Sequence, residues 1–258
     1  MSLFFDYSRP GPGISPDEPR KTGLKRIWEM IARDYIAFWL AGLLNLLLIF
    51  PFAYGAGYAC ATHSVLFALL AGIVGGIIAA PGFYGLADTL LRSLRDEPGF
   101  WWHRYSRAVR KNWKSTLFPG ALMGTVFSVQ FFILMNMHLL DGGLGLFLCQ
   151  IVSMVVSTGI FTWALPQQVL LELRFAALVK NSLLLFFRYF FKTLRASLLL
   201  LAFAAIVLTL FPNSIFILLI VGLWLPMLCC LQIIYPTLDD VFDIENALNH
   251  NNATKNEE

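Results

Sequence analysis

Two short spacings, Cys60-x-x-His63 and His138-x-x-Asp141, carry residue types that ligate metals. Brought together from adjacent loops, the four would suit Zn²⁺ or Cu²⁺. The same residues are also ordinary polar groups at helix ends, and on that reading no metal or other cofactor is expected. The other acids and imidazoles near apolar boundaries are Asp88, His103 and Glu172. Asp88 stands four residues before Arg92, the spacing of a local helical ion pair. No P-loop, GxSxG, HExxH or Rossmann fingerprint occurs, and Asp96-Glu97-Pro98-Gly99 does not match the coupling motif of an importer permease. The chain is therefore expected not to be an enzyme, and no catalytic residue is assigned. Cys60, Cys149, Cys229 and Cys230 show neither CxxC nor finger spacing, so no disulfide framework is expected.

The chemistry that remains is recognition. Over Arg92–Lys114 a helix from Phe100 would align Arg104, Arg107, Lys111 and Lys114 at 100° per residue. Trp102, Tyr105, Val109 and Trp113 would form an aromatic stripe nearly opposite. Arg188, Lys192 and Arg195 repeat the basic pattern at i, i+4, i+7. A basic face backed by aromatics fits anionic lipid head groups and fits a docking partner equally; no nucleic-acid partner is expected.

The elements that must carry these residues are membrane helices. Apolar residues make up 58% of the chain and charged residues 14%, well below the roughly 25% charged of a soluble domain. Uncharged apolar runs at 36–59, 65–87, 116–140, 144–171, 196–211 and 214–237 predict about six spans, each near the roughly 20 residues needed to cross hydrocarbon. The fifth is short unless Lys192 and Arg195 snorkel and let it begin at Phe190. The fold class is all-α, a polytopic membrane helix bundle with short cytoplasmic amphipathic helices at 24–35, 100–114 and 180–195. In the first of these, Glu29 and Arg33 are spaced as an i,i+4 pair. Residues 1–23 form a Pro/Gly arm, 24–238 a single membrane domain and 239–258 an acidic, polar tail.

Charge placement sets the orientation. The connections at 60–64, 141–143 and 212–213 hold no Lys or Arg, and all 19 basic residues lie elsewhere. Positive-inside logic puts both termini in the cytoplasm of a cell-membrane protein. Amphipathic helices precede the first, third and fifth spans, and Pro81, Pro166 and Pro226 mark the returning ones. This reads as a three-fold repeat or as the alternation any six-span chain with short outer loops would show.

Within the spans, Gly72, Gly76 and Ala80 recur at four-residue spacing, as do Gly120 and Gly124. Such rows let helix backbones approach closely, within the chain or across a homo-oligomer. Asn45, Gln130, Gln150, Gln167 and Gln168 are read as interhelical hydrogen-bonding groups, with a cavity for a neutral solute as the alternative.

With these elements placed, the chain resembles the YesL-like family of bacterial integral membrane proteins, a family of unknown function. The residues that carry the resemblance are Phe5-Asp6-Tyr7 with Pro10-Gly11-Pro12-Gly13-Ile14, Asn45-Leu46-Leu47 with Pro51, and Leu90-Leu91-Arg92 with Asp96-Glu97. Lys111-Asn112-Trp113-Lys114, Leu178-Val179-Lys180-Asn181-Ser182 and Phe191-Lys192-Thr193-Leu194 add to it. The resemblance implies a plasma-membrane protein associated with carbohydrate importers of the ABC class, and it supplies no catalytic residues. The expected function is thus a non-enzymatic accessory or regulatory component of carbohydrate uptake, with ABC importer subunits and anionic lipid as partners. The alternatives are an autonomous facilitator for a neutral solute and, behind it, a membrane enzyme of lipid or cell-wall metabolism.

Overall fold

A computed structural model describes residues 23–97, 100–139, 143–171 and 173–245. Among them every regular element is helical: α1 Leu24–Ala61, α2 Val65–Leu94, α3 Trp101–Met135, α4 Gly143–Leu171, α5 Phe175–Arg188, α6 Phe190–Thr209, α7 Ser214–Ile220 and α8 Trp224–Phe242. Six of these, all but α5 and α7, are long and apolar enough to cross a membrane. The chain is a multi-pass helical membrane protein. The N-terminal arm and the tail from residue 246 lie outside the described residues.

Several boundaries depart from the sequence expectation, each for a local reason. The lead-in 24–35 and the first span are one helix, bent at Asp34, whose φ of −118° and ψ of 15° leave the helical region. The segments 100–114 and 116–140 also fuse, into α3, which ends at Met135 before a single 3₁₀ turn at Met137–Leu139. In the third pair the break falls inside the expected helix 180–195. Tyr189 (φ −116°, ψ 42°) ends α5, and the fifth span begins at Phe190, which gives it 20 residues. The expected span 214–237 is interrupted at 221–223, where Gly222 takes φ 62°. Pro226 therefore sits in the first turn of α8, where its missing N–H costs nothing, and does not kink a longer span.

α2 lies between α1 and α3 and makes its most extensive contacts with them. A Cβ on Gly72 would come 2.5 Å from Thr125 Cα. One on Gly76 would run into the Gly120 carbonyl, one on Gly120 into Ala80, and one on Gly124 into the Gly72 carbonyl. On the other face of α2, a Cβ on Gly75 would meet Phe52 Cα at 2.6 Å. The small-residue row is thus an α2–α3 seam within the chain. α4 continues the bundle from α3, and α8 packs on α6, α1, α2 and α4. The main apolar core gathers at one end of the bundle from Met30 and Phe38, Leu86, Leu90 and Leu91, Tyr105, Trp224 and Leu228.

Candidate functional site

That end, which carries the basic residues, holds the polar chemistry of the molecule. The α1 bend brings Arg26 and Arg33 against the end of α2. Arg26 donates to Asp96 Oδ2 at 2.6 Å and to the Leu94 carbonyl at 3.1 Å. Arg33 pairs with the other Asp96 oxygen, and donates to the Ser93 carbonyl at 2.7 Å and to Asp34 at 2.9 Å. Ser93 Oγ donates to Asp34 at 2.5 Å, so the residue at the bend is held from both helices. Arg92 bridges Asp88 at 2.8 Å and Glu97 at 2.7 Å, and Arg95 Nε lies 2.8 Å from Glu97. Burial pushes the Asp96 carboxyl up, but hydrogen bonds from Arg33 and Arg26 outweigh it and hold the group below the usual carboxylate range. The Glu29–Arg33 spacing of the sequence finds different partners: Arg33 turns to Asp34, Asp96 and Ser93, while Arg26 meets Glu29 at 3.4 Å. The signal for this clamp was present as charges flanking two consecutive runs, but their pairing depends on the bend.

The basic-aromatic helix is rearranged relative to its expected stripes. Arg104 turns inward, 3.7 Å from Glu97. Arg107 is exposed and donates to His103 Nε2 at 2.7 Å. Lys111 and Lys114 are exposed, and Lys114 lies 5.6 Å over the Trp113 ring. The aromatic stripe splits: Tyr105 and Val109 belong to the core, whereas Trp102 and Trp113 are exposed. Tyr105 fits where Gly85 leaves room, and a Cβ there would run into its ring. On the next basic segment, Arg188 and Lys192 sit 5.5 and 5.6 Å from the Tyr189 ring. Lys192 also donates to Thr237 at 2.7 Å, which ties α6 to α8. α5 buries Leu178, Ser182, Leu185 and Phe186 and exposes Lys180, Leu184, Phe187 and Arg188, the form of a helix lying along a membrane surface.

At the opposite end the His63 and His138 rings approach to 6.1 Å between centroids, but His63 Nδ1 is already bonded to the Asn136 side-chain carbonyl. Asp141 lies outside the described residues, and among the described residues no three metal-ligating side chains converge. The intramembrane amides are mostly consumed between helices. Gln130 Nε2 donates to Ser153 at 2.8 Å, Gln150 donates to the Gln130 carbonyl at 2.9 Å and Ser157 donates to Gln130 Oε1 at 3.0 Å. Gln167 reaches Ser182 at 3.2 Å. Asn45 is the exception, fully buried with neither amide atom bonded.

A partly open cavity of about 250 Å³ lies among α1 to α5. Its walls are apolar or small, including Phe52, Ala80, Phe83, Gly120, Phe127, Phe161 and Ala164; Thr116 and Gln168 supply its polar groups. Sequence reasoning missed it, because its lining is indistinguishable in composition from a lipid-facing surface. Compared with known protein families, curated proteins and solved structures, the chain matches none.

Proposed function

We propose that this chain is a non-enzymatic plasma-membrane protein that assists carbohydrate uptake, docking its basic end on the cytoplasmic side of an ABC importer. The observation that carries the docking role is an imbalance of partners. Asp34, Asp88, Asp96 and Glu97 are all engaged by arginines within the chain. Arg107, Arg110, Lys114, Arg174 and Arg188 stay exposed with no acidic partner among the described residues. Exposed Trp102 and Trp113 flank them, and aromatic and Arg side chains are enriched where interfaces concentrate their energy. The carbohydrate importer as partner rests on the resemblance to the YesL-like family. A neutral-solute facilitator is favoured less, since Gln130 and Gln150, which would line its path, are bonded to Ser153, Ser157 and the Gln130 backbone carbonyl.

Affinity capture of the intact chain in mild detergent, from cells induced on an oligosaccharide, tests the reading. Importer subunits should be recovered with the wild type and lost at least tenfold with Arg107→Glu/Arg110→Glu/Lys114→Glu at equal membrane abundance. Recovery that ignores the charge reversal would refute docking through this face.

A further inference from the structure

The cavity among α1 to α5 has an orientation as well as a volume. On α3 its lining runs from Thr116 to Phe127, and on α4 from Gln168 back to Phe161. Eleven steps of α3 at about 1.5 Å cover about 16 Å, half of a hydrocarbon core about 30 Å thick. The deep end is walled by Phe127 and Phe161, whose rings meet edge to face at 5.9 Å, while Phe83, nearer the Thr116 end, meets Phe161 at 5.7 Å. None of the lining residues is exposed, and the space, though partly open, is bounded by five helices. Water does not suit such a chamber: it needs two to four polar partners, and a dry apolar cavity of about 150 Å³ takes a hydrocarbon ligand.

The shallow end has a different character. Thr116 lines it, and Gln168 donates to the Ser115 carbonyl at 3.1 Å. Lys114 is the residue before Ser115, exposed and, among the described residues, without an acidic partner. Phe118 and Phe175 are in edge contact at 4.7 Å, which brings the start of α5, next to exposed Arg174, against the same part of α3; among the described residues Arg174 has no acidic partner either. A partly open, apolar half-span whose shallow end meets amide and cation matches a molecule with one end of each kind. We propose that the cavity binds one hydrocarbon chain of an anionic amphiphile, its head held between Gln168, Lys114 and Arg174. This inference shares Lys114 and Arg174 with the proposed docking face, but its hydrocarbon site lies on cavity residues outside that face, so the filling variants at Ala164 and Met123 test it apart from importer capture.

The test uses the full chain in vesicles of phosphatidylglycerol and phosphatidylcholine, with a diazirine at the chain end of either a fatty acid or a phosphatidylglycerol. After illumination, peptide mapping should place the label on the deep-end peptides around Phe127 and Phe161. Ala164→Phe and Met123→Trp, two independent ways of filling the space, should each cut that label at least fivefold. Lys114→Glu/Arg174→Glu should cut it at least threefold for the anionic probes and leave a phosphatidylcholine probe unchanged. Deep-end labelling by the phosphatidylglycerol probe identifies a bilayer lipid as the source; labelling by the fatty acid alone identifies a free amphiphile. Label confined to lipid-facing Leu47, Phe50 and Leu66, or deep-end label indifferent to both filling variants, overturns the proposal. If both filling variants misfold by circular dichroism, the wild-type map decides: deep-end label supports the site, and label on the outer belt alone sinks it.

Discussion

Asp96 is the residue on which the basic end turns, because it accepts from two arginines of α1 while standing just beyond α2. Replacing it with Asn leaves the buried Arg26 guanidinium with Glu29, at 3.4 Å, as its remaining counter-charge. Since Asp96 is about a third exposed, the loss should be about 2 kcal/mol rather than the larger penalty of a fully buried pair. A lower unfolding temperature in detergent would report it. The pH dependence follows from the depressed carboxyl. Its contribution to stability is fully present above the ordinary Asp value of about 3.9 and is lost as pH falls through the lower folded-state value. Wild type should therefore lose stability on the acid side of about pH 4, and Asp96→Asn should lose less there. Equal acid slopes for the two proteins would remove Asp96 from the account. At the same scale, the isolated His63–His138 approach should bind no metal ion more tightly than the double Ala variant does, as measured by mass spectrometry of purified protein.

Helices in lipid are packed by shape, and the α2–α3 seam shows how little tolerance that leaves. Gly76→Ala or Gly124→Ala must separate two backbones and should cost about 1–3 kcal/mol, the usual range for overpacking. Gly57→Ala, which meets nothing within 4 Å, should be neutral or slightly stabilising in the same unfolding assay. Gly222→Ala places a Cβ on a left-handed residue and should cost about 1–2 kcal/mol. The seam was legible in the sequence because its spacing needs no partner to be recognised, although its partner helix was not. The break at Gly222 was not legible, since it lies in an apolar run with no polar gap to mark it; the start of the fifth span at Phe190 was foreseen if Lys192 and Arg195 snorkelled, and only the break inside the expected helix 180–195 was missed. Pro226 held the missing clue, but a proline in the first turn and a proline in mid-span look alike in one dimension. The aromatic stripe of α3 failed for a related reason. In a soluble protein an apolar face points to the core, whereas in a membrane the core and the lipid are both apolar. Periodicity therefore fixed the angle between Trp102 and Tyr105 without telling which one would be buried.

Across the whole molecule, the number of spans and the grouping of charge at one end follow from composition alone, because a bilayer leaves few alternatives. Orientation can be measured directly. In a background lacking Cys60, Cys149, Cys229 and Cys230, a single cysteine at position 63 should react with a membrane-impermeant maleimide in intact cells. One at position 25 or 107 should react only after permeabilisation, and the opposite pattern would invert the assigned sidedness. The architecture is uneven along the chain. The ion clamp, the glycine seam and the bend at Asp34 all involve only α1, α2 and the beginning and middle of α3. Synthesis delivers these helices first, so the tightest packing in the protein can close while α4 to α8 are still being translated. The later helices then join a finished surface. A chain stopped after residue 139 should accordingly resist protease in membranes, while the same truncation carrying Gly124→Leu should be degraded. Quality control during insertion would thus read the seam before α4 to α8 are complete, making the first 135 residues a checkpoint for the rest.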